Sequence, residues 1–147
     1  SKTFLYNPNK RYTMINSRTI SLDTKDQIQF LDITQKVNRF VGDANVKEGL
    51  VMIFSPHTTK AIFINENEKG LMKDYERLLQ IFPKGAGYQH DKIDNNSDAH
   101  LRSISLGSNV TIPIQNASLQ LGTWQHIFLA ELDGPRNRKI IFQVIGE

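Results

Sequence analysis

Three of the four histidines fall in two short polar segments, Ser55 to Asn67 and His90 to Ser103. Three imidazoles, His57, His90 and His100, can fill three positions of a tetrahedral metal such as zinc and leave the fourth for water or substrate. Asp91, Asp94 and Asp98 could then fix the imidazole tautomers from behind. The same segments carry Thr58, Thr59 and Lys60 beside His57, and Arg102 and Ser103 beside His100. Hydroxyls and cationic donors of this kind suit phosphate oxygens. The spacing matches no compact metal-ligand motif, and on residue type alone the histidines could equally be separate residues of solvated turns. Asn67 can cap a following helix. Glu66 has no such local role and is a candidate general base. His126 differs, since on a strand it shares a face with Trp124 and Phe128. It reads as a packed or interface histidine, and Trp124 reads as core.

The elements that must position these residues follow from periodicity. Tyr12 to Leu22 and Ile28 to Leu31 alternate as strands. Thr34 caps a helix with Val37, Phe40 and Val41 on one face, ending at Gly42-Asp43. Leu50 to Phe54 and Ala61 to Ile64 are short apolar strands, so His57 sits in the connection between them. A helix is expected from Glu68 to Phe82, closed by Pro83 and Gly85. Residues 84–96 are polar and aperiodic and read as a long loop. Val110, Ile112 and Ile114 mark a strand that Pro113 places at an edge or bulge. Asn116 and Ala117 supply a turn. Trp124 to Leu132, apolar on both alternating faces, is expected at a sheet centre or a subunit interface. Asp133-Gly134-Pro135 turns into a last strand, Lys139 to Ile145. Strands outnumber helices and the helices are inserted between them, which predicts an α+β domain with largely antiparallel sheets and two main helices.

Composition narrows the classes. The 147 residues suit one domain, which buries roughly 70% of its unfolded surface. Lys and Arg number 18 against 15 Asp and Glu without a basic run, so a nucleic-acid partner is not expected. Cysteine is absent, which excludes disulfides, thiolate nucleophiles and zinc-thiolate sites. No apolar run approaches the ~18 residues of a membrane span. The start shows no signal-peptide pattern, so a cytoplasmic location is expected.

Five ordered motifs add a resemblance: His57-Thr58-Thr59 with Ile64-Asn65-Glu66, then His90-Asp91, Ala99-His100-Leu101, Leu121-Gly122-Thr123-Trp124-Gln125, and Asp133-Gly134-Pro135-Arg136. Together they resemble the YjbQ-like family over about Ile15 to Gly146. The resemblance implies a β-sandwich-like α+β domain, a homotrimer, and polar motif residues gathered near a subunit boundary. Several members are labelled secondary thiamine-phosphate synthases, which join an aminopyrimidine-methyl pyrophosphate to a thiazole phosphate and release pyrophosphate. On that reading His57, Glu66 and His100 are catalytic, and His57, His90 and His100 contact a divalent metal, zinc or magnesium, or the pyrophosphate. Thr58, Thr59, Lys60, Asn67, Arg102 and Ser103 bind the phosphorylated substrate. Lys60 departs from the small residue usual there, and Ala117 from a common glycine. Two rivals stay open: a metal-dependent hydrolase using a His-bound water with Glu66 as base, and a non-catalytic trimer that binds a phosphorylated metabolite.

Overall fold

Side-chain alternation along the strands sorts the chain into two antiparallel sheets that share one core. The structure is a computed structural model and describes residues 3–5 and 13–147. In chain order the strands are β1 (Thr3–Leu5), β2 (Thr13–Asp23), β3 (Gln29–Asp32), β4 (Gly49–Phe54), β5 (Lys60–Asn65), β6 (Asn109–Gln115), β7 (Ser118–Leu119), β8 (His126–Glu131) and β9 (Asn137–Gly146). The helices are α1 (Thr34–Ala44), α2 (Lys69–Leu79) and α3 (Ser97–Leu106). The larger sheet runs β1-β2-β9-β4-β6-β7 and the smaller β3-β8-β5. The expected strand start at Tyr12 lies outside the described residues.

Val51 and Ile53 of β4, Ile112 and Ile114 of β6, and Ile140, Phe142 and Val144 of β9 face Ile62 of β5 and Ile127 and Leu129 of β8 across the core. Val37, Phe40 and Val41 of α1 close one side, as their helical spacing predicts. The outer face of the small sheet, with Ala61, Ala130 and Leu132, packs on Leu79 of α2 and Ala99 of α3. β8 is central in its sheet and buried from Ile127 to Glu131, as its two-sided apolar pattern predicts.

Four expectations are corrected. A third helix, α3, occupies the segment that carries His100. Its inward residues are Ser97, Asp98, Ala99, Arg102 and Ser103, so no apolar stripe announces it. The second helix ends at Leu79 rather than Phe82. The first continues to Ala44 and stops at Asn45, whose φ of 55° is left-handed. Trp124 is 70% exposed in the turn before β8 and is not core.

Candidate functional site

One end of the small sheet meets α3 at a polar cleft of about 390 Å³, lined by His57, Thr58, Asp94, His100, Asp133, Arg136 and Arg138 among others. A second, more apolar cleft shares His57, Thr58 and His100 and adds Ile104 and Ser108. His100 also borders a third, with Tyr88, His90 and Leu101. Its ring therefore stands where three clefts meet, edge-on to His90 with centroids 4.8 Å apart.

Beneath the polar cleft lies a buried ion pair. Glu131 and Arg138 are 0% and 3% exposed, and Arg138 Nη2 lies 2.6 Å from Glu131 Oε2. Arg138 Nη2 also donates to Thr59 Oγ1 at 2.9 Å and Nε to Glu131 Oε1 at 2.8 Å. Glu131 further accepts from the Thr24 hydroxyl and from the amides of Leu132 and Asp133. Burial pushes the Glu131 carboxyl up, but the hydrogen bonds from Arg138 and Thr24 outweigh it and hold the group below the usual carboxylate range. These bonds fix the guanidinium plane and leave Nη1 facing His57.

His57 Nε2 accepts the Lys139 amide at 3.0 Å, which assigns the proton of the neutral ring to Nδ1. Arg138 Nη1 lies 3.5 Å from that Nδ1. Two donors therefore face one another with no acceptor between them among the described residues. Burial lowers the His57 pKa, and the charges of Lys60 and Arg138 lower it further, so the ring is neutral at pH 7. On the opposite wall Asp133 Oδ2 accepts from Asn96 Nδ2 and from Arg136 Nη2, each at 2.9 Å. Asn96 in turn holds His90 Nε2 at 3.0 Å. Asp91 accepts the Ser97 amide at the start of α3.

His57, Thr58, Thr59 and His100 thus come together, with His90 behind His100. The other expected site residues do not line this cleft. Arg102 is buried, pairs with Asp98 at 3.1 Å and donates to the carbonyls of Leu79 and Phe82, so it caps the end of α2 and offers no surface charge. The Ser103 hydroxyl lines the second cleft but is spent on the Lys60 carbonyl. Lys60 is fully buried, its ammonium held by the Lys139 carbonyl. Glu66 and Asn67 follow the far end of β5, about 20 Å from its Lys60 end at the usual rise of a strand. Asn67 Nδ2 donates there to Asp32 Oδ2, which also takes His126 Nδ1 at 2.7 Å. His126 is therefore a half-exposed partner of Asp32 rather than a packed apolar neighbour.

The three histidines do not form a ready-made zinc site. His57 and His90 each have Nε2 engaged, and among the described residues no group of three or more His, Asp or Glu is arranged to hold a metal ion. Two positive groups, Arg138 and Lys60, also oppose a cation beside His57. Sequence reasoning missed Glu131 and Arg138. Their signals were present: a lone carboxylate in the apolar run of β8, and an arginine in phase with Ile140, Phe142 and Val144 on the inward face of β9.

Residues 18–147 match the family described as UPF0047 protein YjbQ-like. The chain belongs to that family. This YjbQ-like chain is 45% identical to a UPF0047 protein of Methanothermobacter thermautotrophicus, over 90% of this chain and 94% of that protein. It is 42% identical to one from Archaeoglobus fulgidus, over 86% and 98%. A crystal structure of a YbjQ-like protein from Sulfolobus solfataricus superposes with a TM-score of 0.90 at 37% identity, covering 92% of this chain and 99% of that one. One of a YjbQ/UPF0047 protein from Clostridium acetobutylicum gives 0.83 at 40%, covering 86% and 98%. The YjbQ-like fold and the α+β antiparallel architecture are thereby shared. No helix among the described residues is long and apolar enough to cross a membrane.

Proposed function

We propose that the polar cleft binds the phosphoryl end of a small metabolite and serves group transfer with pyrophosphate as leaving group. The observation that carries this is the donor pair, Arg138 Nη1 and His57 Nδ1, 3.5 Å apart at the cleft with no acceptor between them among the described residues. An oxyanion placed there would accept from both donors and offset the charge of Arg138. Thr58 and Arg136 lie on the same cleft. In the proposed transfer, the thiazole nitrogen attacks the aminopyrimidine methylene carbon as its C–O bond breaks, and both electrons leave with pyrophosphate. The chain's part is to hold the leaving oxygens, orient the methylene carbon and exclude water. The apolar cleft beyond His100 is where an uncharged ring would lie. Were a magnesium ion carried on the pyrophosphate, Asp94 would offer it a carboxylate at the cleft, Asp133 being engaged by Asn96 and Arg136.

The test is pyrophosphate release from the two substrates, with pyrophosphate binding measured by calorimetry. Arg138→Lys, which keeps the charge but loses the planar fork, is expected to weaken binding at least tenfold. Substrate binding without product formation would reduce the function to a metabolite-binding protein. Absence of pyrophosphate binding would overturn the reading. The proposal also includes the homotrimer and a cytoplasmic role.

A further inference from the structure

Lys60 lies beneath the cleft at 0% exposure, and among the described residues it forms no salt bridge. It stands directly across from Glu131 in the β5·β8 register. That carboxylate is already occupied by Arg138, Thr24 and two backbone amides. The buried cluster thus holds two cationic groups against one carboxylate. The Lys60 ammonium donates to the carbonyl of Lys139, whose amide donates to His57. One residue's backbone therefore joins the buried lysine to the donor pair in the cleft. A neutral side chain of similar length would fill the same volume without the cost of an uncompensated charge.

We propose that Lys60 is the buried counter-charge of the anion bound in the cleft, so that anion binding and protonation of Lys60 reinforce each other. This rests on the anion-binding reading above and adds a proton to it. The groups facing Lys60 are Arg138 and Lys139 from β9, Glu131 from β8, and His57 from the connection before β5. Burial and the charge of Arg138 bring the lysine pKa down to about 7, with Glu131 opposing, so a nearby negative charge acts on a group already poised to change state. The bound anion makes up the missing charge, and the site favours doubly charged phosphoryl groups over singly charged ones.

The experiment follows the lysine side-chain ¹³Cε resonances of the full chain from pH 5 to 10, without and with saturating inorganic pyrophosphate. Lys60→Met identifies the resonance. Sulfate, whose charge is fixed over this range, repeats the measurement without titration of the probe. The Lys60 midpoint is expected to rise by about one pH unit on binding, and affinity to fall about tenfold more steeply between pH 6 and 9 than in K60M. An unmoved midpoint with pyrophosphate bound overturns the role of Lys60 and leaves the cleft reading intact. Failure of pyrophosphate to bind at pH 6 overturns both. Where K60M does not fold, the lysine resonance with a midpoint near 7 identifies Lys60 in the unsubstituted chain, and its shift on binding decides the matter.

Discussion

At the scale of single residues, the buried charges under the cleft govern both stability and function. Removing one partner of the Glu131–Arg138 pair leaves an uncompensated charge in a closed site, at a cost of about 3–5 kcal/mol. Urea denaturation is therefore expected to show Glu131→Gln and Arg138→Met each strongly destabilised. The double variant Glu131→Leu with Arg138→Met should recover much of that loss while losing pyrophosphate binding. A loss in the double variant equal to the sum of the two single losses would show that the pair is not coupled. Lys60 works in the opposite sense. The unfolded chain protonates it below pH 10.5, whereas the folded chain does so only below about pH 7. Between those values the unfolded state holds the extra proton, so the lysine destabilises the fold progressively as pH falls from 10.5 to 7, and by a constant amount below. Lys60→Met is accordingly expected to raise the thermal midpoint most at pH 7 and below, with the gain vanishing towards pH 10.5. A gain independent of pH would assign the effect to packing alone.

At the scale of elements, legibility tracked how far a segment's burial was apolar. The strand around Ile127 to Glu131 and the helix with Val37, Phe40 and Val41 were legible because apolar spacing alone sets their faces. α3 was not, because its inner face is made of Ser97, Asp98, Arg102 and Ser103: Arg102 pairs with Asp98 in the same helix and reaches the carbonyls of Leu79 and Phe82, and Ser103 reaches that of Lys60. For the same reason His57 and His100 were recognised as candidates, while Arg138 was not. Glu66 failed differently, since the six residues of β5 separate it from the Lys60 end of the sheet rather than joining the two. Asn116 and Ala117 form the turn that their residue types predict. Both residues are left-handed, at φ 49° and 63°, and join β6 to β7. A Cβ at Ala117 is disfavoured there by about 1 kcal/mol, and glycine removes that strain at some cost in unfolded-state entropy. Ala117→Gly is expected to stabilise the chain modestly in denaturant without changing pyrophosphate affinity. A loss of stability would show that entropy outweighs the strain.

At the scale of the whole molecule, what matters is the surface that one chain leaves uncovered. α2 buries only Leu79 among its eleven residues, although Leu71, Met72, Tyr75 and Leu78 share its apolar side. Leu78 and Ile81 remain 53% and 67% exposed at its end, and Ile93, Ile104 and Trp124 are 86%, 79% and 70% exposed elsewhere. A helix this short draws its stability from packing rather than propensity, so its apolar side calls for a cover. A homotrimer would cover it, with a mass of about 50 kDa, three times the 16.8 kDa of one chain. Sedimentation equilibrium at micromolar concentration is expected to return that mass. The paired change Leu78→Glu with Ile81→Glu, outside the polar cleft, should shift the mass towards one chain and lower the thermal midpoint, which then becomes concentration-dependent. If pyrophosphate binding is lost together with assembly, a neighbouring chain supports the cleft. If it survives in the monomer, the donor pair of Arg138 and His57 is sufficient within one chain. A single-chain mass for the unsubstituted protein would overturn the trimer and require another cover for α2.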